Sequence, residues 1–393
     1  MTITLEFSVM ADSAANLQPL LDQFESEQNV RVRLRLLSWD TAWSDIIRVA
    51  LYGDGPDVSE IGSTWLGDLI AMNALYPFRI GDLIALGGSR TFLPTAYEGL
   101  CLPDQPEVWA IPWLTGARLV FYRRDMLQTA GIDERTAFLS PRHLEQTLAQ
   151  LQSSGVAVPW TIPTGVTHST LLNVATWVWG CGGDFLSPDG RQTMFGRPNA
   201  IAGFRAYFAL RRFLAPAVQR LSGLEPDAQF LNDSNTAITL SGSWLFDQAS
   251  PELKEQMGVA LPPGPSFIGG SHLVVWNHTR YAEPAVRLIR FLLTTPAQVS
   301  YSQRVGLLPA TLDALSAPLY TTDPLWQIAV DGLKTGRTFP VARSWGLIED
   351  RLTNELAELW DDVLRDPDSD PDAAISRRLI PLANRLDLAL GQT

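Results

Sequence analysis

Residues 3–37 have the sequence ITLEFSVMADSAANLQPLLDQFESEQNVRVRLRLL. This stretch contains three segments, of which the two outer ones differ in pattern from the middle one. Apolar and polar residues alternate in the outer segments, as in half-buried β-strands, while the middle one repeats every three or four residues, as on one helix face. The apolar positions are Ile3, Leu5, Phe7 and Val9, then Leu17, Leu20, Leu21 and Phe24, then Val32, Leu34 and Leu36. A strand, a helix and a strand in so short a stretch predict a parallel βαβ unit. Such sheets bind ligands at the carboxyl ends of their strands.

Length and composition narrow the class of protein. The chain has 393 residues, too many for one hydrophobic core, so we expect two lobes. A formal net charge of −12 argues against nucleic acid or an anionic membrane as the main partner. The two cysteines, Cys101 and Cys181, cannot form a disulfide framework, and we expect both to be small buried apolar residues.

The amino-terminal residues contain neither a basic n-region nor an apolar h-region. We therefore expect an extracytoplasmic location, in the periplasm or at the cell surface, if a signal peptide has been removed, and a cytoplasmic one otherwise. No transmembrane helix is predicted, because Gly, Pro, Ser and Thr interrupt the uncharged stretch around residues 153–183.

Sequence motifs for catalysis, metals and cofactors are absent. The chain contains no phosphate-binding glycine loop, no dinucleotide fingerprint, no zinc helix motif and no nucleophile elbow. The alternating aspartates of residues 366–372 resemble the start of a calcium loop, but Pro371 stands where a turn glycine is needed and Arg377 where the closing glutamate is needed. We predict an acidic linker there, and a protein that is not an enzyme and uses neither metal nor cofactor.

Tryptophan is abundant, with 13 in the chain. An indole ring stacks on the apolar face of a pyranose while nearby polar groups bind the hydroxyls of its rim, although most tryptophans in proteins are core residues. We predict ligand contacts for the loop-borne Trp65, Trp179 and Trp244. Core positions are predicted for Trp109, Trp160, Trp276 and Trp326.

Six segments in collinear order resemble the extracellular solute-binding proteins of ABC importers, in the sugar-binding group that includes maltose-binding protein. These are Gly55-Pro56-Asp57-Val58 with Ile61-Gly62-Ser63-Thr64-Trp65, then Arg118 to Asp125, Trp177 to Phe185, Ser241 to Trp244, Phe267 to His272, and Phe291 to Gln298 with Gly306 to Ala310. Each segment is weakly specific alone, and together they span nearly the whole chain.

The resemblance implies an α/β, two-lobed periplasmic-binding-protein fold of type II-like topology, with a ligand cleft between lobes that crossing hinge segments join. It places residues 1–112 and 267–312 in the first lobe. Residues 113–266 and 313–393 then form the second lobe, with the C-terminal helices packing across the hinge side.

The resemblance also implies the ligand contacts, residue by residue. Aromatic contacts fall on Trp39, Trp65, Trp177, Trp179, Trp244 and Trp345, and polar contacts on Asp40, Arg118, Asp184, Ser243, Gly270, Ser271 and His272. Two residues before Arg118 the family often has an acid that accepts sugar hydroxyls, and this chain has Gly116. Another acid, such as Asp40 or Asp184, then substitutes, or the ligand is bulkier or differently substituted at that place.

Three of these polar residues have alternative roles. Asp184 follows Gly182-Gly183 and fits a turn or cap, Arg118 fits a salt bridge between lobes, and His272 fits a hydrogen-bonded loop histidine.

The resemblance implies a monomeric substrate-binding component of an ABC importer, which captures a mono- or oligosaccharide by hinge closure and delivers it to a permease. The alternative is a sensor that binds a sugar or another small polar organic ligand and reports to a signalling partner. A glycoside-processing enzyme is disfavoured because few acids fall on the predicted cleft loops, and such an enzyme needs two facing carboxylates. A polyamine carrier would likewise need several acids among the aromatic residues.

Overall fold

The computed structural model describes residues 3–10, 14–100, 102, 107–366 and 370–390. Cys101 and the middle of the predicted acidic linker, residues 367–369, lie outside this set. The strands are β1 (Ile3–Met10), β2 (Val30–Leu37), β3 (Val58–Gly62), β4 (Ile111–Ala117), β5 (Leu119–Arg123), β6 (Ile238–Ser241), β7 (Met257–Ala260), β8 (Ile268–Val275) and β9 (Leu308–Pro309). The helices are α1 (Ala14–Gln28), α2 (Trp39–Tyr52), α3 (Leu66–Ala71), α4 (Ile80–Ala85), α5 (Pro94–Glu98), α6 (Arg124–Thr129), α7 (Pro141–Ser153), α8 (His168–Gly180), α9 (Pro198–Phe208), α10 (Glu225–Asn232), α11 (Leu245–Gln248), α12 (Pro251–Gln256), α13 (Ala282–Leu292), α14 (Thr295–Val305), α15 (Leu312–Leu315), α16 (Pro318–Thr322), α17 (Pro324–Thr335), α18 (Trp345–Arg365) and α19 (Pro371–Leu390).

The predicted βαβ unit is confirmed. Strands β1 and β2 pair in parallel, with Ile3 opposite Val30 and Met10 opposite Leu37, and α1 connects them. The apolar positions of the alternating pattern face the core, since Leu5, Phe7 and Val9 are completely buried. The side-chain period alone therefore fixes both the element types and the buried face.

A six-stranded sheet with the order β2-β1-β3-β8-β4-β9 organises the first part of the molecule. Strand β8 returns from a distant part of the sequence and pairs antiparallel with β3, with Ile61 opposite His272 and Gly62 opposite Ser271. This pairing brings the end of β3 next to the start of β8. It positions His272 within the first unit.

A three-stranded antiparallel sheet with the order β6-β5-β7 lies in the second part of the molecule. Its central strand β5 directly follows Arg118, and Leu119 pairs with Ser241 at the end of β6. Arg118 and the loop after β6 are therefore held side by side.

Two compact units divide the chain. The first comprises residues 1–116, 268–323 and 338–346, and the second comprises residues 117–267, 324–337 and 347–393. The predicted lobes differ from these units mainly after residue 312. Residues 313–323 and 338–346 pack within the first unit. The family resemblance places all residues after 312 in the second lobe. These two segments are short, and their amino-acid composition does not differ from that of their neighbours in a way that would predict their unit.

The long helix α18 has an apolar stripe along one face. Its buried face consists of Ile348, Leu352, Leu356, Leu359, Trp360 and Val363, all completely buried. Among the described residues, each helix is too short or too polar to cross a lipid bilayer.

Candidate functional site

A small cavity lies within the first unit, beside the paired ends of β3 and β8. Its lining residues come from the loop after β3, from α5, from β4, from β8 and from the segment before α18: Ser63, Thr95, Thr115, Gly269, His272 and Phe339 are among them. Its volume is about 20 Å³, enough for roughly one water molecule. In this structure the cavity therefore fits a single polar substituent of a ligand rather than a whole ring.

His272 is one of two lining residues whose buried polar side-chain atoms lack a hydrogen-bond partner among the described residues. Its side chain is buried, with 5% of the residue exposed, and neither ring nitrogen makes a well-formed hydrogen bond to the residues that the structure describes. Burial lowers the pKa of His272 to about 4, so the imidazole is neutral at physiological pH. The hydroxyl oxygen of Thr95, another lining residue, is equally buried and unpartnered. A neutral imidazole offers one donor and one acceptor, which suits a hydroxyl group.

Replacement of His272 by Gln is expected to flatten the pH dependence of stability. An unfolded histidine binds a proton below about pH 6.5, whereas the buried one stays neutral down to a pKa of about 4. The unfolded state therefore binds more protons between these values, and His272 makes the wild type lose stability as the pH falls through this window. Between pH 7 and pH 5 the wild type should lose about 2 kcal/mol more than His272→Gln.

Urea unfolding at both pH values measures this difference. His143→Gln is the matched control, because His143 lies on the exposed start of α7. Equal pH dependence in the wild type and His272→Gln would contradict the assignment of a neutral buried imidazole.

The predicted aromatic contacts of the first unit separate into an exposed group and a buried ring. Trp39 is 46% exposed and its ring centroid lies 5.8 Å from that of the half-buried Trp65. Trp345 is 1% exposed and stacks on Phe339 with the ring centroids 4.4 Å apart. Phe339 lines the cavity, so Trp345 supports the cavity wall from behind, and the predicted direct contact by Trp345 is not what the structure shows.

Two further predicted contact residues of the first unit, Gly270 and Ser271, pack against neighbouring strands. Gly270 lies against the backbone of β4, and an added Cβ would be 2.1 Å from the carbonyl oxygen of Leu114. Ser271 is 1% exposed and lies beside the buried carboxyl group of Glu60, whose pKa is raised by burial. Neighbouring residues of a strand point to opposite faces, so Ser271 points away from the face of His272. Of these two predicted contact residues, His272 lines the cavity and Ser271 does not, so the ligand contact by Ser271 stays a prediction. The side chain of Asp40 lies outside the described residues.

Arg118 and Trp244 form the centre of a second cluster, which lies within the second unit. The guanidinium carbon of Arg118 lies 5.2 Å from the centroid of the Trp244 ring, and Arg118 Nη2 donates to Ser169 Oγ at 3.3 Å. The Trp244 indole N–H donates to Asp227 Oδ2 at 2.8 Å, and the Ser241 hydroxyl donates to the same oxygen at 2.7 Å. Trp244 itself remains partly exposed, so one part of its ring is free to contact a ligand.

Burial shifts both ionisable groups of this cluster toward their neutral forms. It lowers the pKa of Arg118 to about 10, and it raises the pKa of Asp227, whose two hydrogen-bond donors only partly offset the effect. Sequence reasoning missed Asp227 and Ser169. Asp227 lies in the first turn of α10, where acids are common for helix stability alone, so its sequence position does not distinguish it.

Trp179, Asp184 and Phe267 form a third group, also in the second unit. The Trp179 indole N–H donates to Asp184 Oδ1 at 3.1 Å, and its ring stacks parallel to Phe267. Asp184 also forms an ion pair with Arg337 at 2.6 Å, and the Arg337 guanidinium lies 5.1 Å from the Trp179 ring centroid. Asp184 is thus occupied in orienting Trp179 and Arg337.

Trp177 and Ser243 are completely buried. Trp177 packs edge-on against Tyr207 in the core of the second unit, with the ring centroids 4.9 Å apart. It offers no face to a ligand, so the predicted ligand contact is replaced by a core role. Trp160, Trp276 and Trp326 are core residues as predicted, and Trp109 packs partly buried on the core of the first unit.

Solved structures of known proteins share this fold over almost the whole chain. An ABC transporter solute-binding protein from Thermotoga lettingae, solved with α-D-tagatose, is 18% identical with a TM-score of 0.84 and 99% coverage of both chains. The maltose-bound MalE3 of T. maritima is 18% identical with a TM-score of 0.82, covering 98% of this chain and 100% of its own. The fold is therefore the mixed α/β fold of two-lobed periplasmic sugar-binding proteins, as predicted.

Sequence comparison points the same way. The diacetylchitobiose binding protein DasA of Streptomyces coelicolor is 20% identical over 343 residues, which cover 84% of this chain and 77% of the relative. The family model described as bacterial extracellular solute-binding protein matches residues 20–328, which is most of the chain. The chain therefore belongs to the bacterial extracellular solute-binding proteins.

Proposed function

We propose that the protein is the substrate-binding component of an ABC importer, which captures a carbohydrate by hinge closure and delivers it to a membrane permease. Its family is one of binding proteins and not of enzymes. Proteins of the same fold were solved with tagatose and with maltose, and one relative is named for diacetylchitobiose. We further propose that it works as a monomer on the extracytoplasmic side of the membrane, where such a carrier meets both its ligand and the permease.

The observation that carries the carbohydrate assignment is the neutral, unsatisfied imidazole of His272 in a cavity with an aromatic wall. A buried polar group without a partner is costly, and a hydroxyl of a bound sugar would supply the missing hydrogen bonds. The partly exposed Trp244 offers a stacking surface of the kind that pyranose rings use. The further contacts that we propose are Trp39, Trp65 and the backbone at Gly270 in the first unit, and Trp179 and Arg118 in the second unit.

Thermal unfolding in the presence of candidate ligands tests the proposal. The panel contains D-tagatose, maltose and N,N′-diacetylchitobiose together with other mono- and oligosaccharides, and it includes spermidine and a tripeptide as ligands of other classes. A ligand present at 100 times its Kd should stabilise the native state by about 2.7 kcal/mol, which appears as a higher Tm. Stabilisation by a carbohydrate, verified by calorimetric titration, is the expected result. Stabilisation by spermidine or the peptide alone, or by no member of the panel, would contradict it.

A further inference from the structure

Arg118 is a buried cation. Only 8% of the residue is exposed, and within the described part of the chain its guanidinium forms no salt bridge to a carboxylate. The nearby charge of Asp227 acts on it electrostatically, but Asp227 Oδ2 accepts its hydrogen bonds from Ser241 and Trp244. A buried charge is costly unless it is paired, so an unpaired arginine in a ligand-binding protein needs an explanation.

Arg123, at the end of β5, is a buried arginine that does form an ion pair. It is 9% exposed, pairs with Asp125 at 2.9 Å and donates to the side chain of Gln256 at 2.8 Å. Arg118 has comparable burial, but among the described residues the side-chain group that accepts a hydrogen bond from it is the Ser169 hydroxyl. The two arginines therefore differ in the one feature that an anionic partner would provide.

The surroundings of Arg118 are rich in donors. The Ser169 hydroxyl accepts from the guanidinium and retains its own proton to donate. Tyr207 acts on Arg118 electrostatically and lies beside Asn173, and both residues are completely buried. Tyr207 and Asn173 interact with each other in the core of the second unit, so the donors that a ligand can reach are those of Arg118 and Ser169. A guanidinium and a hydroxyl donor together suit an anion better than they suit a neutral hydroxyl group.

We propose, on the basis of the proposed function, that the ligand is an acidic carbohydrate, whose carboxylate or phosphate group pairs with Arg118 and accepts from Ser169. The anion supplies the negative partner for a salt bridge with Arg118. The sugar ring contacts the exposed part of Trp244. Carboxylate and phosphate groups each have at least two oxygen acceptors, and a guanidinium binds two such oxygens through two parallel hydrogen bonds.

Matched pairs of ligands test this proposal by calorimetric titration of the wild type. The pairs are D-galactose with D-galacturonate, digalactose with digalacturonate, and D-glucose with D-glucose 6-phosphate. The acidic member of at least one pair should bind about tenfold or more tightly than its neutral partner. The uronate and phosphate arms distinguish the two sources of the anion.

Two variants assign the preference to Arg118. Arg118→Met keeps a long apolar side chain but removes the charge, and it should reduce the affinity for the acidic member about tenfold or more while the neutral member loses little. Arg118→Lys should keep part of the preference, because it keeps the charge but loses the two-pronged geometry. Arg123→Met is the matched control and should keep the full preference for the acid.

The outcomes separate this proposal from the proposed function. If neutral sugars bind as tightly as their acids, the protein is a carbohydrate carrier and the role of Arg118 as an anion partner is wrong. If no carbohydrate of either kind binds, the proposed function itself fails. An acid preference that persists in folded Arg118→Met would also overturn the proposal, and should that variant not fold, the wild-type pairs and Arg118→Lys still decide.

Discussion

Gly270→Ala should destabilise the first unit by about 3 kcal/mol or more and should abolish ligand binding. Gly270 has a φ angle of +139°, which side-chain-bearing residues rarely adopt. An alanine Cβ would also lie 2.1 Å from the Leu114 carbonyl oxygen and 2.8 Å from Thr115 Cα. Both contacts are to backbone, so strand β4 must move. Since Leu114 and Thr115 line the cavity, this movement would also change the position of the candidate ligand contacts.

Urea unfolding and calorimetric titration measure the two effects of Gly270→Ala. Gly53→Ala is the matched control in the same unit, because Gly53 has a φ angle of +63° in the left-handed helical region but no atom within 4 Å of an added Cβ. This control carries the backbone strain without the clash and should cost about 1 kcal/mol. If the two variants lose the same stability, β4 accommodates the methyl group and the close approach is not important.

Trp244→Ala should weaken carbohydrate binding by about 1–3 kcal/mol, roughly a factor of 5 to 150 in Kd. The partly exposed ring is the proposed stacking surface, and its N–H satisfies the buried Asp227. Loss of that donor should also lower the free energy of unfolding by about 1 kcal/mol, without unfolding the protein. Titration with the carbohydrate that stabilises the wild type most measures the first effect, and thermal unfolding measures the second.

Trp244→Phe separates the ring from its N–H group. Phenylalanine retains a flat aromatic face but cannot donate to Asp227, so it should lose stability like Trp244→Ala while retaining most of the affinity. Equal loss of affinity in both variants would assign the effect to the hydrogen bond instead of to stacking. Unaltered affinity in Trp244→Ala would remove Trp244 from the site.

The sequence predicts local structure well where one face of an element is buried. The alternation in β1 specifies which residues face the core, and the structure confirms it, since Leu5, Phe7 and Val9 are completely buried. In β2 the alternation holds at Val32 but is wrong at the end of the strand, where Leu36 is 54% exposed and Leu37 is buried instead. The two-residue period of a strand also predicts which neighbouring residues share a face, and the family resemblance did not use this information. It places Ser271 and His272 on opposite faces of β8, and only His272 lines the cavity.

Tryptophan roles are harder to predict because neighbouring rings on one helix can differ completely. Trp177 and Trp179 are both on α8, yet Trp177 packs on Tyr207 in the core while Trp179 meets Asp184, Phe267 and Arg337. Phe267 and Arg337 come from distant segments that pair through an isolated parallel bridge. No local pattern in α8 encodes which indole they cover.

The sequence by itself determined the α/β class, the first βαβ unit and the family resemblance, because side-chain periods and short collinear segments are properties of neighbouring residues. Only the tertiary structure decided that Trp345 stands behind Phe339, that Arg118 lies beside Trp244, and that His272 is neutral and lacks a hydrogen-bond partner among the described residues. Burial and charge pairing depend on which distant segments meet, and that information resides in the packing of the whole chain.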